Sequence, residues 1–174
     1  MNNPECNSGV QYNQETTTPK ELNQHKMSTY TQILYQIVFS TKNREQTLEK
    51  ENRKELFKYI WGILKNKKCH LYQIGGVADH IHMVTHLHPT IALSSLIKDI
   101  KLASSEHIKA ENLFQKFSAW QEGYGAFTYS IKEKDRLIEY VKNQEEHHRK
   151  KTFREEYIEL LKEHGIEFEE KYLL

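Results

Sequence analysis

Cys69-His70-Leu71-Tyr72-Gln73-Ile74-Gly75-Gly76-Val77-Ala78-Asp79-His80-Ile81-His82-Met83-Val84-Thr85-His86-Leu87 is the stretch whose reading decides the fold. Cys69 to Ile74 and Val77 to Leu87 are both strand-like, and the glycine pair between them suits a hairpin turn or a bulge. In a strand successive side chains alternate faces, so His80 and His82 project together while Ile81 and Met83 point the opposite way into a core. His86 and His88 share that parity if the strand extends so far. Asp79 has the other parity and reads either as a turn residue or as a partner behind the pair.

Upstream of the hairpin, Thr31 to Ser40 is β-branched and aromatic and reads as a buried strand. A polar loop, Thr41 to Thr47, leads into Glu49 to Lys65, where Leu56, Phe57, Ile60, Ile63 and Leu64 recur at helical spacing. Downstream, Pro89-Thr90 opens a helix to about Ala110, with Leu93, Leu96, Ile97, Ile100, Ala103 and Ile108 on its apolar face. Trp120 to Ser130 is aromatic with two glycines and reads as a strand with a bulge or a close backbone approach. Lys134 to about His148 is then a helix. Thr152 and Glu155 have capping-box spacing ahead of a last helix that Gly165 ends. The order strand, helix, strand, strand, helix, strand, helix predicts an α+β sandwich of the ferredoxin-like type, with helices on one face of a largely antiparallel sheet.

The chain has 174 residues, 28% charged and 37% hydrophobic, which is one domain's length. No apolar run approaches the roughly 18 to 20 residues of a membrane span, so no membrane role is expected. Residues 1–27 are polar and poor in apolar side chains, and read as a disordered tail ahead of a single domain, 28–174. Met1 to Glu5 lack the start of a secretory signal, and Cys6 and Cys69 are too few for a disulfide framework, so a cytoplasmic protein is expected. The net charge of +1 gives no overall pull toward nucleic acid. Lysines gather around the middle of the chain, however, and the C-terminus is acidic, so a local basic face is compatible with the mean charge.

Four residues apart on a helix, Tyr140 and Gln144 share a face. Two imidazoles and an amide oxygen offer three neutral ligands to a divalent ion, and a nearby tyrosine can attack what that ion polarises. Spacing alone leaves other readings open. A His-x-His pair also occurs as a structural or solvent-facing pair, Tyr140 could cover a core edge, and His147 or His148 could replace Gln144. Lys42, Arg44, Lys98, Lys101, Ser104 and Ser105 are candidate phosphate contacts, with a solvated surface as the alternative. Trp120, Tyr124 and Phe127 could stack bases or fill the core.

Three blocks, taken in order and spacing, carry a resemblance: Gly75 to His82 with its His-hydrophobic-His, Trp120 to Phe127, and Tyr140 to His148. From about Tyr30 to Leu174 the chain resembles the single-tyrosine transposases of the HUH superfamily, of the insertion-sequence 200 type, including their REP-associated relatives. The resemblance implies that His80, His82 and Gln144 hold Mg²⁺ or Mn²⁺ and that Tyr140 is the nucleophile. It implies a DNA-strand transferase that cleaves and rejoins single-stranded DNA at element ends through a 5′-phosphotyrosine link, recognising subterminal hairpins as a homodimer. Lys42, Arg44, Lys98, Lys101 and Ser105 are then the expected DNA contacts. The alternatives are a domesticated hairpin-binding protein without transposition and, further off, a small metal-dependent hydrolase.

Overall fold

The computed structural model describes residues 30–169 and 173; the expected tail, 1–27, lies outside them. Four strands, β1 (Leu34–Ser40), β2 (His70–Gly76), β3 (His80–His86) and β4 (Gly125–Tyr129), form one sheet in the order β2-β3-β1-β4. Each neighbouring pair is antiparallel. Between the strands run α1 (Lys50–Asn66) and α2 (Leu93–Ala110), completing the ferredoxin-like βαββαβ order, and α3 (Lys134–Lys142), α4 (Gln144–His147) and α5 (Phe153–Glu163) follow. No described helix is long and apolar enough to cross a membrane.

The alternation of β1 and β3 divides the interior. Ile37, Phe39, Ile81 and Met83 face one way and pack against Leu56, Ile60 and Leu64 of α1 and Leu96, Ile97 and Ile100 of α2. This is the expected helical layer. The opposite face has a cover of its own: Leu34 and Val84 meet Leu137 and Val141 of α3, and Val38 and Phe127 meet Phe153, Tyr157, Leu160 and Leu161 of α5. His80 and His82 belong to this second face, opposite Ser40 and Val38 of β1. Three short helices thus convert a sheet surface that would otherwise meet water into the floor of a buried site.

Two local expectations are corrected. Gly75-Gly76 does not make the hairpin turn; both residues stay in β2, paired with His82 and Ile81, and the chain reverses through Val77 to Asp79, where the Val77 amide donates to the His80 carbonyl at 3.1 Å. The glycines serve close approach instead. A Cβ on Gly75 would lie 2.3 Å from the Val141 carbonyl oxygen of α3, and one on Gly76 equally close to the His80 carbonyl. The expected helix over Lys134 to His148 is also broken, at Asn143, so that Tyr140 lies in the last turn of one helix and Gln144 begins the next. Trp120 is not in a strand: it forms an isolated bridge with Thr41, packs edge-on to Phe39 at 4.9 Å, and donates its indole N–H to Ser104 at 2.9 Å. It is a core residue, not a base-stacking one. The capping box of Thr152 and Glu155 forms as expected at the start of α5.

Gly75→Ala is expected to lower stability by about 1–3 kcal/mol, because the added methyl meets backbone that cannot yield without shifting α3. Gly62→Ala, within α1 and with nothing within 4 Å of the new Cβ, should raise it by about 0.5–1 kcal/mol. Urea unfolding of the two variants beside the wild type checks both signs.

Candidate metal and tyrosine site

Glu156 lies at the centre of the site. The apolar stripe of α5 runs through Phe153, Tyr157, Leu160 and Leu161, and helical spacing puts Glu156 on that stripe, where it is 2% exposed. Its Oε2 is 3.2 Å from His148 Nε2, 3.4 Å from His82 Nε2 and 3.9 Å from His80 Nε2. Its Oε1 accepts hydrogen bonds from the Tyr140 hydroxyl and, at 3.1 Å, from Gln144 Nε2, and His147 Nε2 lies 3.5 Å away. Tyr140 approaches the imidazoles directly, its ring centroid 5.9 Å from that of His82. The structure brings His80, His82, Tyr140 and Gln144 together around a carboxylate that belongs, in the sequence, to the acidic C-terminus. A glutamate at a core position of an amphipathic helix was the signal for it.

The second ring nitrogens point outward, each toward an anchor. His80 Nδ1 is 2.7 Å from the Asp79 carboxylate, which makes Asp79 the partner behind the pair. His148 Nδ1 is 3.0 Å from the Lys151 carbonyl. His82 Nδ1 is 3.4 Å from the Gln36 side-chain amide, whose Oε1 is buried without a partner; turning that amide over lets Oε1 accept from Nδ1–H. With Nδ1 protonated and anchored, Nε2 of His80 and of His82 keeps its lone pair for the centre, whereas His148 Nε2, 3.0 Å from the Gln144 amide oxygen, donates a proton to it.

These atoms suit a divalent cation. Nε2 of His80 and His82 and Oε2 of Glu156 are buried with no hydrogen-bond partner of good geometry, a costly arrangement unless something binds all of them. One ligand atom each from His80, His82, His148 and Glu156 lies within 4.8 Å of all the others. Gln144 stands one contact back: its Oε1 is 3.0 Å from His148 Nε2 while its amide nitrogen serves Glu156.

Burial and the crowding of like groups set the charges. Desolvation pushes the His80 imidazole down from 6.5 to about 4 against the pull of Asp79. For Glu156 desolvation pushes upward, but the contacts with His148, His82 and Tyr140 outweigh it and hold the carboxyl well below the usual range. Desolvation also lowers His148, yet the hydrogen bond and charge of Glu156 leave it raised overall. Tyr140 is raised strongly, by burial first and then by the Glu156 charge, so without a cation the phenol stays protonated.

The expected DNA contacts are scattered. Arg44 lines a cleft of about 550 Å³ beside the site, with Asn43, Asp79, His148, Lys151 and Arg154, and Lys42 is exposed nearby on the same loop. The cluster does not include Lys98, Lys101 and Ser105, which lie on α2, the helix that packs on the sheet face opposite the imidazoles. Lys98 is exposed and Ser105 half-buried. Lys101 is committed elsewhere: its ammonium donates to the Gln121 carbonyl at 2.8 Å and to the Gly123 carbonyl, and burial lowers it to about 8. A second opening, about 130 Å³, lies beside Tyr140 between Gln36, Tyr129, Arg136 and Glu156.

The sheet order and the helices on it define an α+β fold shared with transposases of known structure. A crystal structure from Deinococcus radiodurans R1, assigned as a transposase, matches with a TM-score of 0.52 at 20% identity, over 67% of this chain and 95% of that one. A REP-associated tyrosine transposase bound to a REP hairpin matches with a TM-score of 0.53 at 16% identity, over 70% and 74%. No curated protein matches the sequence. The profile described as "Transposase IS200 like" matches residues 29–144, and the chain belongs to that family. His148 and Glu156 lie beyond the matched segment.

The folded chain withholds a proton from His80 that the unfolded chain accepts between pH 6.5 and about 4. Stability should therefore fall as pH drops through that window, by about 3 kcal/mol in all at 1.36 kcal/mol per pKa unit. The raised His148 acts in a separate window, its contribution being lost as pH rises through its folded value. Urea unfolding in EDTA between about pH 7 and pH 5 should show the fall, with a shallower slope in His80→Gln.

Proposed function

We propose that this transposase cleaves and rejoins single-stranded DNA, with Tyr140 as the nucleophile and His80, His82 and Gln144 at a divalent metal site, Mg²⁺ or Mn²⁺. The observation that carries the reading is the meeting of the Tyr140 hydroxyl and the two strand imidazoles on one buried carboxylate. When bound there, the ion supplies Lewis acidity that draws charge from a scissile phosphate.

The chain's own residues do the rest. Asp79 and Gln36 fix the rotation of the imidazoles from behind, and α3 is seated against β2 through the gap that Gly75 leaves, which holds Tyr140 in place. The Tyr140 oxygen forms a bond to phosphorus as the bond from phosphorus to the 3′ oxygen breaks, leaving a 5′-phosphotyrosine and a 3′ oxygen that takes up a proton from water to become the free 3′-OH. The phenolic proton leaves along the hydrogen bond to Glu156 Oε1 and passes on to water, because that carboxyl is held well below the usual range. Attack by a 3′-OH on the phosphotyrosine reverses these steps, so the phosphodiester energy is conserved and no nucleotide cofactor is required. A DNA hairpin is the proposed partner, supported by the hairpin held by the REP-associated neighbour, and a pair of copies is the proposed assembly. Arg44 and Lys42, beside the imidazoles, are better placed to meet the strand than the α2 residues.

A labelled single strand carrying an imperfect palindrome from the DNA flanking the gene tests this. With Mn²⁺, wild-type protein should give a covalent adduct on a denaturing gel. Tyr140→Phe should lose it by at least about a thousandfold, since among the described residues no other hydroxyl hydrogen-bonds the Glu156 carboxylate, while hairpin affinity stays near wild type. An adduct that survives in Tyr140→Phe contradicts the assignment. Hairpin binding that survives chelation, with no adduct from the wild type, would indicate a binding protein instead.

A further inference from the structure

Resting on the reading that His80 and His82 hold a divalent ion, we propose that His148 and Glu156 are ligands of the same ion, and that this set of three imidazoles and one carboxylate selects Mn²⁺ over Mg²⁺. Neither residue falls within the segment matched by the family profile, and both come from the covering helices. The four ligand atoms already lie within 4.8 Å of one another. His148 is anchored from behind, with Nδ1 against the Lys151 carbonyl, and its Nε2 is turned inward to 3.2 Å from Glu156 Oε2, where a bound ion would replace the Nε2 proton. Glu156 Oε2 has no hydrogen-bond partner although it is buried, while Oε1 is engaged by Tyr140 and Gln144. One oxygen of the carboxylate thus organises the nucleophile and the other is left for a cation.

Gln144 is not displaced by this assignment. Its Nε2 donates to Glu156 Oε1, the carboxylate oxygen not offered to the ion, and so orients Glu156 as a group behind a ligand does, while its Oε1 accepts the His148 Nε2 proton that an ion would replace. The donor set decides the ion. Mg²⁺ takes oxygen ligands, keeps most of its waters and gains little from neutral nitrogen, whereas imidazole suits first-row transition metals. One carboxylate among three imidazoles therefore favours Mn²⁺ over Mg²⁺.

Titration calorimetry of the full chain with Mn²⁺ alone and with Mg²⁺ alone tests this without DNA. Wild type should bind Mn²⁺ at least about tenfold more tightly than Mg²⁺, and Glu156→Gln, which keeps an acceptor for Tyr140, should weaken Mn²⁺ by at least about tenfold. Electron spin echo measurements on the Mn²⁺-loaded wild type should count three coupled imidazoles and require no variant. Wild-type Mn²⁺ affinity in Glu156→Gln, or two coupled imidazoles, overturns the added ligands, and equal affinity for the two ions overturns the selectivity. If the wild type binds neither ion, or His82→Ala leaves Mn²⁺ binding intact, the underlying reading of the histidine pair is the one that fails.

Discussion

A carboxylate stays charged in a protein interior only where donors and cations surround it, and Glu156 imposes that demand on everything around it. It is met by Tyr140 from α3 and Gln144 from α4, which donate to Oε1, and by His148 just beyond, 3.2 Å from Oε2, while His80 and His82 of β3 turn lone pairs toward that same oxygen and leave the demand there for a cation. None of these groups could take its place if α5 turned by even a fraction of a turn. The capping box at Thr152 and Glu155 fixes where that helix starts, and Phe153, Tyr157, Leu160 and Leu161 fix how it lies on Val38 and Phe127. Apolar packing thus aims a charged group, and the charged group gathers the site.

The sheet supplies the rigid side of this arrangement. β3 is the second strand in, hydrogen-bonded on both flanks, so the two imidazoles cannot drift apart without breaking two ladders. The tyrosine side is lighter. α3 is nine residues long and is held by Leu137 and Val141 over Leu34 and Val84. A rigid pair of imidazoles thus faces a shorter and more lightly held helix.

Much of this was legible in the chain. The period-two alternation through His80 and His82 gave the strand and the shared face, and the order of elements gave the sandwich. What escaped has physical causes. Gly75-Gly76 reads as a turn because glycine frees the backbone, yet here the absent Cβ matters for how close α3 comes to β2, and that distance is tertiary. The break at Asn143 leaves no proline or glycine to mark it. Lys101 and Ser104 read as phosphate contacts until the Gln121 and Gly123 carbonyls and the Trp120 indole prove to be their partners. Glu156 was hidden among surface glutamates, although its place on the stripe of α5 marked it as a group in need of a partner.

A single chain brings the imidazoles and the tyrosine together on Glu156. The direct measurement is complementation between two inactive proteins, Tyr140→Phe and His82→Ala, mixed after co-expression and given the hairpin-bearing strand with Mn²⁺. Because each variant lacks half of the site that a single chain brings together, the mixture should form no covalent adduct. An adduct restored to the mixture, on the chain that retains Tyr140, would contradict assembly of the site within one chain.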